Sequence, residues 1–218
     1  MANNTIVYID GFNLYYGLKK CHNLNNWPNY RWLNLTKFAE KIIPQGYDLI
    51  ETKYFTSRII QPKDAVKRQT TFIEALDTLP DLKIYEGSFI DDQQHCHDCR
   101  KLLVCNECRS IHHKRSEKKT DVNIATQLLV DAYENKFDCA VLVSADTDLI
   151  PPTQHIVNTF QDKEVITAIP PSKTQSTQWL NIVTSILRIK GKHFIDCFLP
   201  DELMSNNNFL LKRPKEWE

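Results

Sequence analysis

The sequence predicts an α/β protein in which a mostly parallel sheet lies between two layers of helices. Two short apolar runs, residues 5–9 and 139–143, are rich in β-branched side chains, as is typical of strands covered on both faces. Between such runs lie longer stretches whose apolar residues recur at helical spacing. Strands that alternate with helices in this way favour a three-layer, Rossmann-like α/β/α sandwich.

In the first half of the chain, apolar periodicity and proline breakers predict the elements in order. Pro44 stops the second helix, and Pro62 stands in the first turn of the third, where proline is tolerated. The predicted strands of this half are residues 5–9, 49–59 and 82–90, and the predicted helices are residues 14–24, 33–43 and 62–79.

The second half repeats the alternation after a polar, basic, cysteine-bearing interruption at residues 91–119. Thr120 can cap a helix that extends to Tyr133. The predicted elements that follow are strands at residues 139–143, 165–168 and 194–198, and helices at residues 149–160 and 174–187. We therefore predict one domain over residues 1–199, with residues 91–119 as an insertion, and a peripheral or frayed tail at 200–218.

Four aspartates lie where this topology would bring them together. Asp10 ends the first strand, Asp121 starts a helix, and Asp146 and Asp148 follow a buried strand. If the strand order is 3-2-1-4-5, the first and fourth strands are neighbours and their acids meet at the switch point, where such sheets bind ligands. Asn13 and Ser144 could orient the carboxylates.

This acidic cluster predicts a cation site. Closely packed carboxylates repel one another unless a cation or a shared proton lies between them. Hard oxygen ligands suit Mg²⁺ or Mn²⁺, which support water activation and in-line phosphoryl chemistry. The plainer interpretation is that these residues are helix caps and turn residues, and it applies most strongly to Asp148.

The bulk composition restricts the class of protein. The formal net charge is zero, so any contact with nucleic acid must come from a local patch. No apolar stretch approaches the ~18 residues of a membrane span, and no signal-like segment opens the chain, so we expect a cytoplasmic protein without a membrane partner. Seven cysteines without such a segment disfavour a disulfide framework.

Four of the cysteines form two C-x₂-C pairs within the interruption. Cys96 pairs with Cys99, Cys105 pairs with Cys108, and five residues separate the two pairs. Four thiolates in two tight turns can bind one structural Zn²⁺ and stabilise an insertion too small for a core of its own. The alternative is that they are four reduced structural cysteines.

Basic residues cluster in the same segment, immediately before Asp121. They could grip the phosphate backbone of RNA and guide it to the acids, although a merely solvated charged loop is the alternative. Tyr15 and Tyr16, near the first acid, could stack on unpaired bases. The predicted RNA-contacting residues are Arg109, Lys114, Arg115, Lys118, Lys119 and Ser144.

Three segments resemble the motifs of one family. IVYIDGFNLYYGLKK, KKTDVNIATQLLVDA and VLVSADTDLIPP, in that order, are similar to the motifs of the NYN domain family, PIN-like nucleases that include the LabA/DUF88 group. The resemblance implies a PIN-like fold and a Mg²⁺- or Mn²⁺-dependent ribonuclease that leaves a 5′-phosphate and a 3′-hydroxyl. The residues at the family's acidic-site positions are Asp10, Asn13, Asp121, Asp146 and Asp148, with Ser144 before the last two.

The chain departs from the family pattern at two positions. Ala145 stands where the family often has glycine, and Lys119-Thr120 stands where it often has Lys-Gly. A methyl group at Ala145 is tolerable only if its φ is negative. We therefore predict a metal-dependent ribonuclease, with an RNA-binding or regulatory NYN module of negligible turnover as the alternative. A homo-oligomer or a regulatory protein partner is also compatible with the sequence.

Overall fold

A six-stranded parallel sheet forms the centre of the molecule. The structure is a computed structural model that describes residues 3–218, apart from the side chain of Arg115. The strands are β1 (Asn3–Asp10), β2 (Tyr47–Thr56), β3 (Leu82–Glu86), β4 (Ser88–Gln93), β5 (His113–Lys118), β6 (Cys139–Val143), β7 (Glu164–Ile169), β8 (Ser185–Arg188), β9 (Glu202–Met204) and β10 (Leu210–Lys212). The helices are α1 (Gly11–Asn25), α2 (Leu35–Ile42), α3 (Lys63–Leu76), α4 (Thr120–Tyr133) and α5 (Ile150–Thr159).

The strand order places β1 at the switch point. The sheet has the order β3-β2-β1-β6-β7-β8, and every neighbouring pair is parallel. This confirms the predicted order of the first five sheet strands. It also makes β1 and β6 neighbours, although more than 100 residues separate them along the chain.

Helices cover both faces of the sheet, because side chains of one strand alternate between two cores. Val7 and Ile9 of β1 pack in a cluster with α1, α2 and α3. Ile6 and Tyr8 pack in a second cluster with α4 and α5. The three-layer α/β/α arrangement therefore follows from the continuous apolar runs read in the sequence.

Two of the predicted elements are wrong. Residues 174–187 form a 3₁₀ turn (Thr177–Asn181) and the short strand β8 instead of a helix. The predicted strand at 194–198 is replaced by a 3₁₀ turn (Gly191–Phe194) and a single bridge between Phe198 and Leu33. Short apolar runs do not distinguish an edge strand from a helix turn, which explains these errors.

The predicted strand at residues 82–90 is in fact two strands that belong to different sheets. β3 completes one edge of the central sheet, whereas β4 pairs with β5 in an antiparallel arm. The chain changes direction at Gly87, where an added Cβ would lie 2.5 Å from the carbonyl oxygen of Lys118 and from the hydroxyl of Ser57. A glycine is therefore needed where the base of the arm meets the main domain.

The C-terminal residues pack against the main core. Leu211 and Trp217 are 6% and 3% exposed and belong to the cluster that holds α1 and α3. The prediction of a peripheral or frayed tail is therefore wrong for these residues, whereas the division at residue 199 stays a prediction. None of the helices in residues 3–218 has the length and apolar character to cross a membrane.

Candidate active site

The acids at the ends of β1 and β6 lie at the same edge of the sheet. In the parallel register of these strands, Ile9 lies opposite Val143. Asp10 follows Ile9 directly, and the turn that holds Asp146 and Asp148 begins just after Val143. The predicted meeting of the two motifs at the switch point is therefore what the fold produces.

Asp10 is buried and held by three hydrogen bonds. Its side chain is 3% exposed. Asn13 donates its backbone N–H to Oδ1 at 3.0 Å and its Nδ2 to Oδ2 at 2.6 Å, and the Ser144 hydroxyl donates to Oδ2 at 3.0 Å. Burial raises the pKa of Asp10 and the charge of Asp146 adds to it, while the hydrogen bonds oppose the rise. Asn13 thus has the neutral-donor role that the sequence predicted.

Ser144 connects the two acidic turns. Its hydroxyl donates to Asp10 and accepts the backbone N–H of Asp146 at 3.1 Å. The side chain is fully buried, so it is not open to a phosphate arriving from solvent. The prediction that Ser144 contacts RNA is therefore corrected: its buried hydroxyl connects Asp10 to the turn of Asp146.

The capping role falls to Asp146 instead of Asp148. Asp146 precedes the 3₁₀ turn Thr147–Leu149, and its Oδ1 accepts the backbone N–H of Asp148 at 3.0 Å. Asp146 is half-buried and the Asp148 side chain is exposed. Ala145 does not have a left-handed backbone, so its methyl group is tolerated in the turn. Asp10 and Asp146 are therefore both N-caps, and the capping hydrogen bonds hold their carboxylates in place. The second oxygen of Asp146 remains available for other contacts.

Asp121 approaches this edge from the start of α4. Lys119, with a φ of 76°, is the N-cap of the helix, and Thr120 is its first residue. The prediction that Thr120 caps the helix is therefore wrong. The Glu117 carboxylate caps the helix instead, since it accepts the backbone N–H of Thr120 at 2.9 Å. The same carboxylate accepts the Ser57 hydroxyl at 3.2 Å.

Glu117 is a fifth acid near the site, and it was not among the predicted site residues. Burial is the largest cause of the raised pKa of Asp121, which is about 6. The negative charges of Asp10, Asp146, Glu117 and Asp148 also raise it. The signal that could have revealed Glu117 is an acidic residue just ahead of a helix, where the helix dipole favours negative charge.

The cysteine pairs lie at the end of the β4–β5 arm, in two turns with the same backbone geometry. Cys96 N–H donates to the carbonyl of Lys101 at 2.7 Å, and Cys105 N–H donates to that of Ser110 at 2.9 Å. The residue after each pair, Arg100 or Arg109, has a φ of 60°. The two C-x₂-C pairs therefore lie in tight turns, as predicted, and the two turns have the same backbone geometry.

Hydrogen bonds in these turns favour thiolates. Backbone N–H groups of Cys99 and Asp98 lower the pKa of Cys96. The Ser110 side chain lowers the pKa of Cys108 to about 7, with help from backbone N–H groups and from Cys105. A thiolate, and not a thiol, is the form that binds metals.

The comparison with known families identifies the chain. A sequence model of the NYN domain matches residues 4–184, which is most of the chain. The chain belongs to the NYN domain family. The resemblance read from the three motifs is confirmed, and the family indicates a nuclease-type hydrolase of the PIN-like superfamily.

Two similar proteins extend this comparison of the NYN domain. The chain is 32% identical over 199 residues to the 6-hydroxy-3-succinoylpyridine 3-monooxygenase HspA of Pseudomonas putida, with 77% of this chain and 60% of that protein covered. It thus spans about 60% of the length of that curated relative. A crystal structure of a protein of unknown function from Vibrio parahaemolyticus has the same fold, with a TM-score of 0.52, 16% identity, and coverage of 91% of this chain and 96% of that chain.

The acids of this NYN domain influence one another but are not drawn into a tight cluster. Within residues 3–218, apart from the Arg115 side chain, no three Asp, Glu, His or Cys side chains are placed closely enough to hold a metal ion. The predicted set of four carboxylates and the predicted set of four thiolates are therefore not assembled as ligand shells. Repulsion between like charges favours such separation.

The raised pKa of Asp121 predicts an unusual pH dependence of stability in this NYN domain. The folded protein binds this proton more tightly than the unfolded chain, so the Asp121 contribution to the free energy of unfolding falls as pH rises from about 4 to about 6. Asp121→Asn removes the buried negative charge, so we expect its free energy of unfolding at pH 7 to exceed that of wild type by about 1 kcal/mol. This value is smaller than the full pKa shift implies, because solvent screens a half-buried carboxylate. Urea unfolding at pH 4 and pH 7 measures it. Equal pH dependence in both proteins would contradict the assignment.

The predicted RNA-contacting side chains Arg109, Lys114, Lys118 and Lys119 are all exposed. The side chain of Arg115 lies outside the described residues. Lys118 ends β5, and Lys119 precedes the helix that begins with Thr120 and Asp121. The base of the basic arm is therefore next in sequence to one of the acids.

Proposed function

We propose that this NYN domain is a metal-dependent ribonuclease that hydrolyses phosphodiester bonds at the carboxyl edge of β1 and β6. One observation carries the proposal: Asp10 and the turn of Asp146 meet at one edge of the sheet, where the Ser144 hydroxyl contacts both. Burial, followed by the charges of Asp10 and Asp146, raises the pKa of Asp121 beside them. Perturbed carboxylates that converge from different elements on the switch point are typical of a catalytic site.

The donors present suit a hard divalent cation. They are carboxylate oxygens, and the Ser144 and Asn13 contacts orient the Asp10 carboxylate as supporting groups orient metal ligands. Asp10, Asp121 and Asp146 would hold Mg²⁺ or Mn²⁺, with modest movement of side chains that now lie too far apart to share an ion. When bound, the ion would lower the pKa of water and offset charge on the phosphate.

Asp148 and the basic residues would activate the water and bind the substrate. Asp148 is exposed at the mouth of the site, where its carboxylate can orient the attacking water and take its proton. Water attacks phosphorus in line and the P–O3′ bond breaks. The departing 3′ oxygen takes a proton from solvent, so the products are a 5′-phosphate and a 3′-hydroxyl. The exposed cations Arg109, Lys114, Lys118 and Lys119 would bind the RNA backbone, and Arg115 is proposed from sequence alone.

The name of the HspA relative favours a second candidate, oxidation of a small aromatic ring. An RNA-binding or regulatory module with negligible turnover is the third. A homo-oligomer, a regulatory protein partner and a cytoplasmic location stay predictions from the sequence.

A cleavage assay distinguishes these candidates. End-labelled single-stranded RNA, structured RNA and DNA are incubated with Mn²⁺, and oxygen uptake is followed separately with 6-hydroxy-3-succinoylpyridine and an electron donor. The proposal predicts metal-dependent cleavage of RNA with 5′-phosphate ends. Tight RNA binding without cleavage would favour the module, and substrate-dependent oxygen uptake without cleavage would favour the oxidation.

We also propose that the cysteine turns bind one structural Zn²⁺. The observation behind this proposal is the repeated turn geometry, in which both C-x₂-C pairs end on a left-handed arginine. Such an arm has little core of its own: Leu102, Leu103 and Val104 between the pairs are exposed. Binding of Zn²⁺ by Cys96, Cys99, Cys105 and Cys108 would close the two turns on each other.

Metal analysis tests the zinc site. Purified protein is expected to contain about one equivalent of zinc, which Cys96→Ser/Cys105→Ser should lose. A Cys21→Ser/Cys197→Ser variant is the matched control, since these cysteines are buried in the main domain. Protein free of zinc after preparation without chelators, or zinc retained by the first variant, would rule against the site.

A further inference from the structure

A cavity lined by aromatic side chains lies between α1 and α3. Its volume is about 340 Å³, which is within the range of roughly 300–1,000 Å³ for small-molecule sites. Most of its wall is apolar. Eight aromatic rings line it: those of Phe12, Tyr15, Tyr16, Tyr30, Tyr54, Phe72, Phe89 and Trp217.

The cavity begins where the proposed active site ends. Gly11 lines it and directly follows Asp10. A Cβ on Gly11 would lie 2.7 Å from the carbonyl oxygen of Phe55 and 2.8 Å from the Tyr54 ring, so α1 starts in direct contact with β2. Thr56, the last residue of β2, also lines the cavity. None of the four aspartates lines the cavity, but Gly11 places its wall one residue along the chain from Asp10.

Some of the aromatic surface is open to solvent. Tyr16 is 54% exposed, although it stacks on Phe12 with ring centroids 6.1 Å apart and planes 20° apart. Tyr15 contacts the buried Trp217 ring, with centroids 6.4 Å apart and planes tilted by 52°. An exposed ring pair beside a buried ring suits a flat ring that enters from solvent.

The wall of the cavity includes three basic residues. Lys19, Arg31 and Arg68 line it. Arg31 lies 5.9 Å from the centroid of the Trp217 ring, and Arg68 forms an ion pair with Glu216 at 2.8 Å. Lys19 is exposed. Cations around an aromatic wall complement a ligand that joins a flat ring to an anionic group, as a nucleotide does.

We propose that this cavity takes one unstacked nucleobase of the RNA strand whose adjacent phosphate lies at Asp10. The inference rests on the proposed ribonuclease function and deepens it by assigning a subsite for one base, which can enter the cavity only if it is unpaired. The acids would then cut single-stranded RNA, or the unpaired parts of a folded RNA, next to the base that is held.

An abasic substrate tests the cavity directly. Once the cleaved bond has been mapped in wild type, the base of each flanking nucleotide is removed in turn from the labelled RNA. The proposal predicts that one of these removals raises KM by roughly 10-fold, as expected for one stacked base. Ala65→Phe, which fills the cavity from α3, and Tyr16→Ala should raise KM similarly on intact RNA and be insensitive to the missing base.

Leu24→Ala is the matched control, because Leu24 is on the same helix as Tyr16, is 70% exposed and does not line the cavity. Binding is measured in parallel by fluorescence anisotropy with Asp146→Asn, so that the two proposals fail separately. Cleavage that is indifferent to both flanking bases would overturn the cavity proposal alone. Base-dependent binding without cleavage by wild type would overturn only the hydrolysis. Binding of nicotinate, without binding of single-stranded RNA, would assign the cavity to a small aromatic acid instead.

Discussion

Replacement of Asp146 by asparagine is expected to slow RNA cleavage at least ~100-fold, with little change in stability. Asparagine keeps the oxygen that accepts the N–H of Asp148 at 3.0 Å, so the turn after β6 should persist. The negative charge that acts on Asp10 and Asp121 is lost. The measurement is a single-turnover rate on labelled RNA in Mn²⁺, together with a urea unfolding curve.

Asp138→Asn is the control for this substitution. Asp138 precedes β6 at the opposite edge of the sheet, where its carboxylate accepts the backbone N–H of Asn4 at 2.8 Å. It should therefore cleave RNA at the wild-type rate. If Asp146→Asn cleaved as fast as wild type, the acids at this edge would not be the catalytic groups.

Replacement of Asp131 by asparagine is expected to cost about 3–5 kcal/mol of unfolding free energy. Asp131 is fully buried on α4, where it pairs with Lys53 of β2, itself 2% exposed, and accepts the Tyr8 hydroxyl of β1 at 2.7 Å. Burial, followed by the charge of Asp131, raises the pKa of Tyr8 well above its usual value. Without the carboxylate, the Lys53 ammonium is left in the core with Glu51 at 3.3 Å as its nearby acid.

Lys136→Met separates the buried pair from its exposed neighbour. Lys136 approaches the other oxygen of Asp131 at 3.3 Å, but its side chain is 46% exposed, so its loss should cost less than about 1 kcal/mol. Urea midpoints of both variants give the comparison. Similar midpoints for Asp131→Asn and wild type would mean that the buried pair does not hold α4 to the sheet.

Much of the fold could be predicted because its core strands leave a strong pattern. The strand at residues 139–143 is found at the predicted bounds, since five consecutive buried apolar residues fit a central parallel strand. The strand order 3-2-1-4-5, which was assumed as the common doubly wound order, agrees with the sheet. The edge strand β8 was missed, because two of its four residues are exposed and its sequence has no continuous apolar run.

The candidate site was predictable in part. Asp10 and Asp146 follow strand ends, so topology alone brings them to one edge. The partners of these acids depend on contacts between distant segments: the Ser144 hydroxyl donates to Asp10 across 134 residues, and the Ser57 hydroxyl donates to Glu117 across 60 residues. Sequence spacing does not determine such contacts.

Binding of Mn²⁺ to the folded protein tests the central claim that Asp10, Asp121 and Asp146 act as one cation site. Electron paramagnetic resonance of free Mn²⁺, at pH 7.5 and without RNA, reports how much is bound by wild type and by variants. We expect saturable binding in wild type and in Asp138→Asn. We expect Asp10→Asn and Asp121→Asn each to lose it. Binding that is unchanged by either substitution, or absent from the wild type, would contradict it.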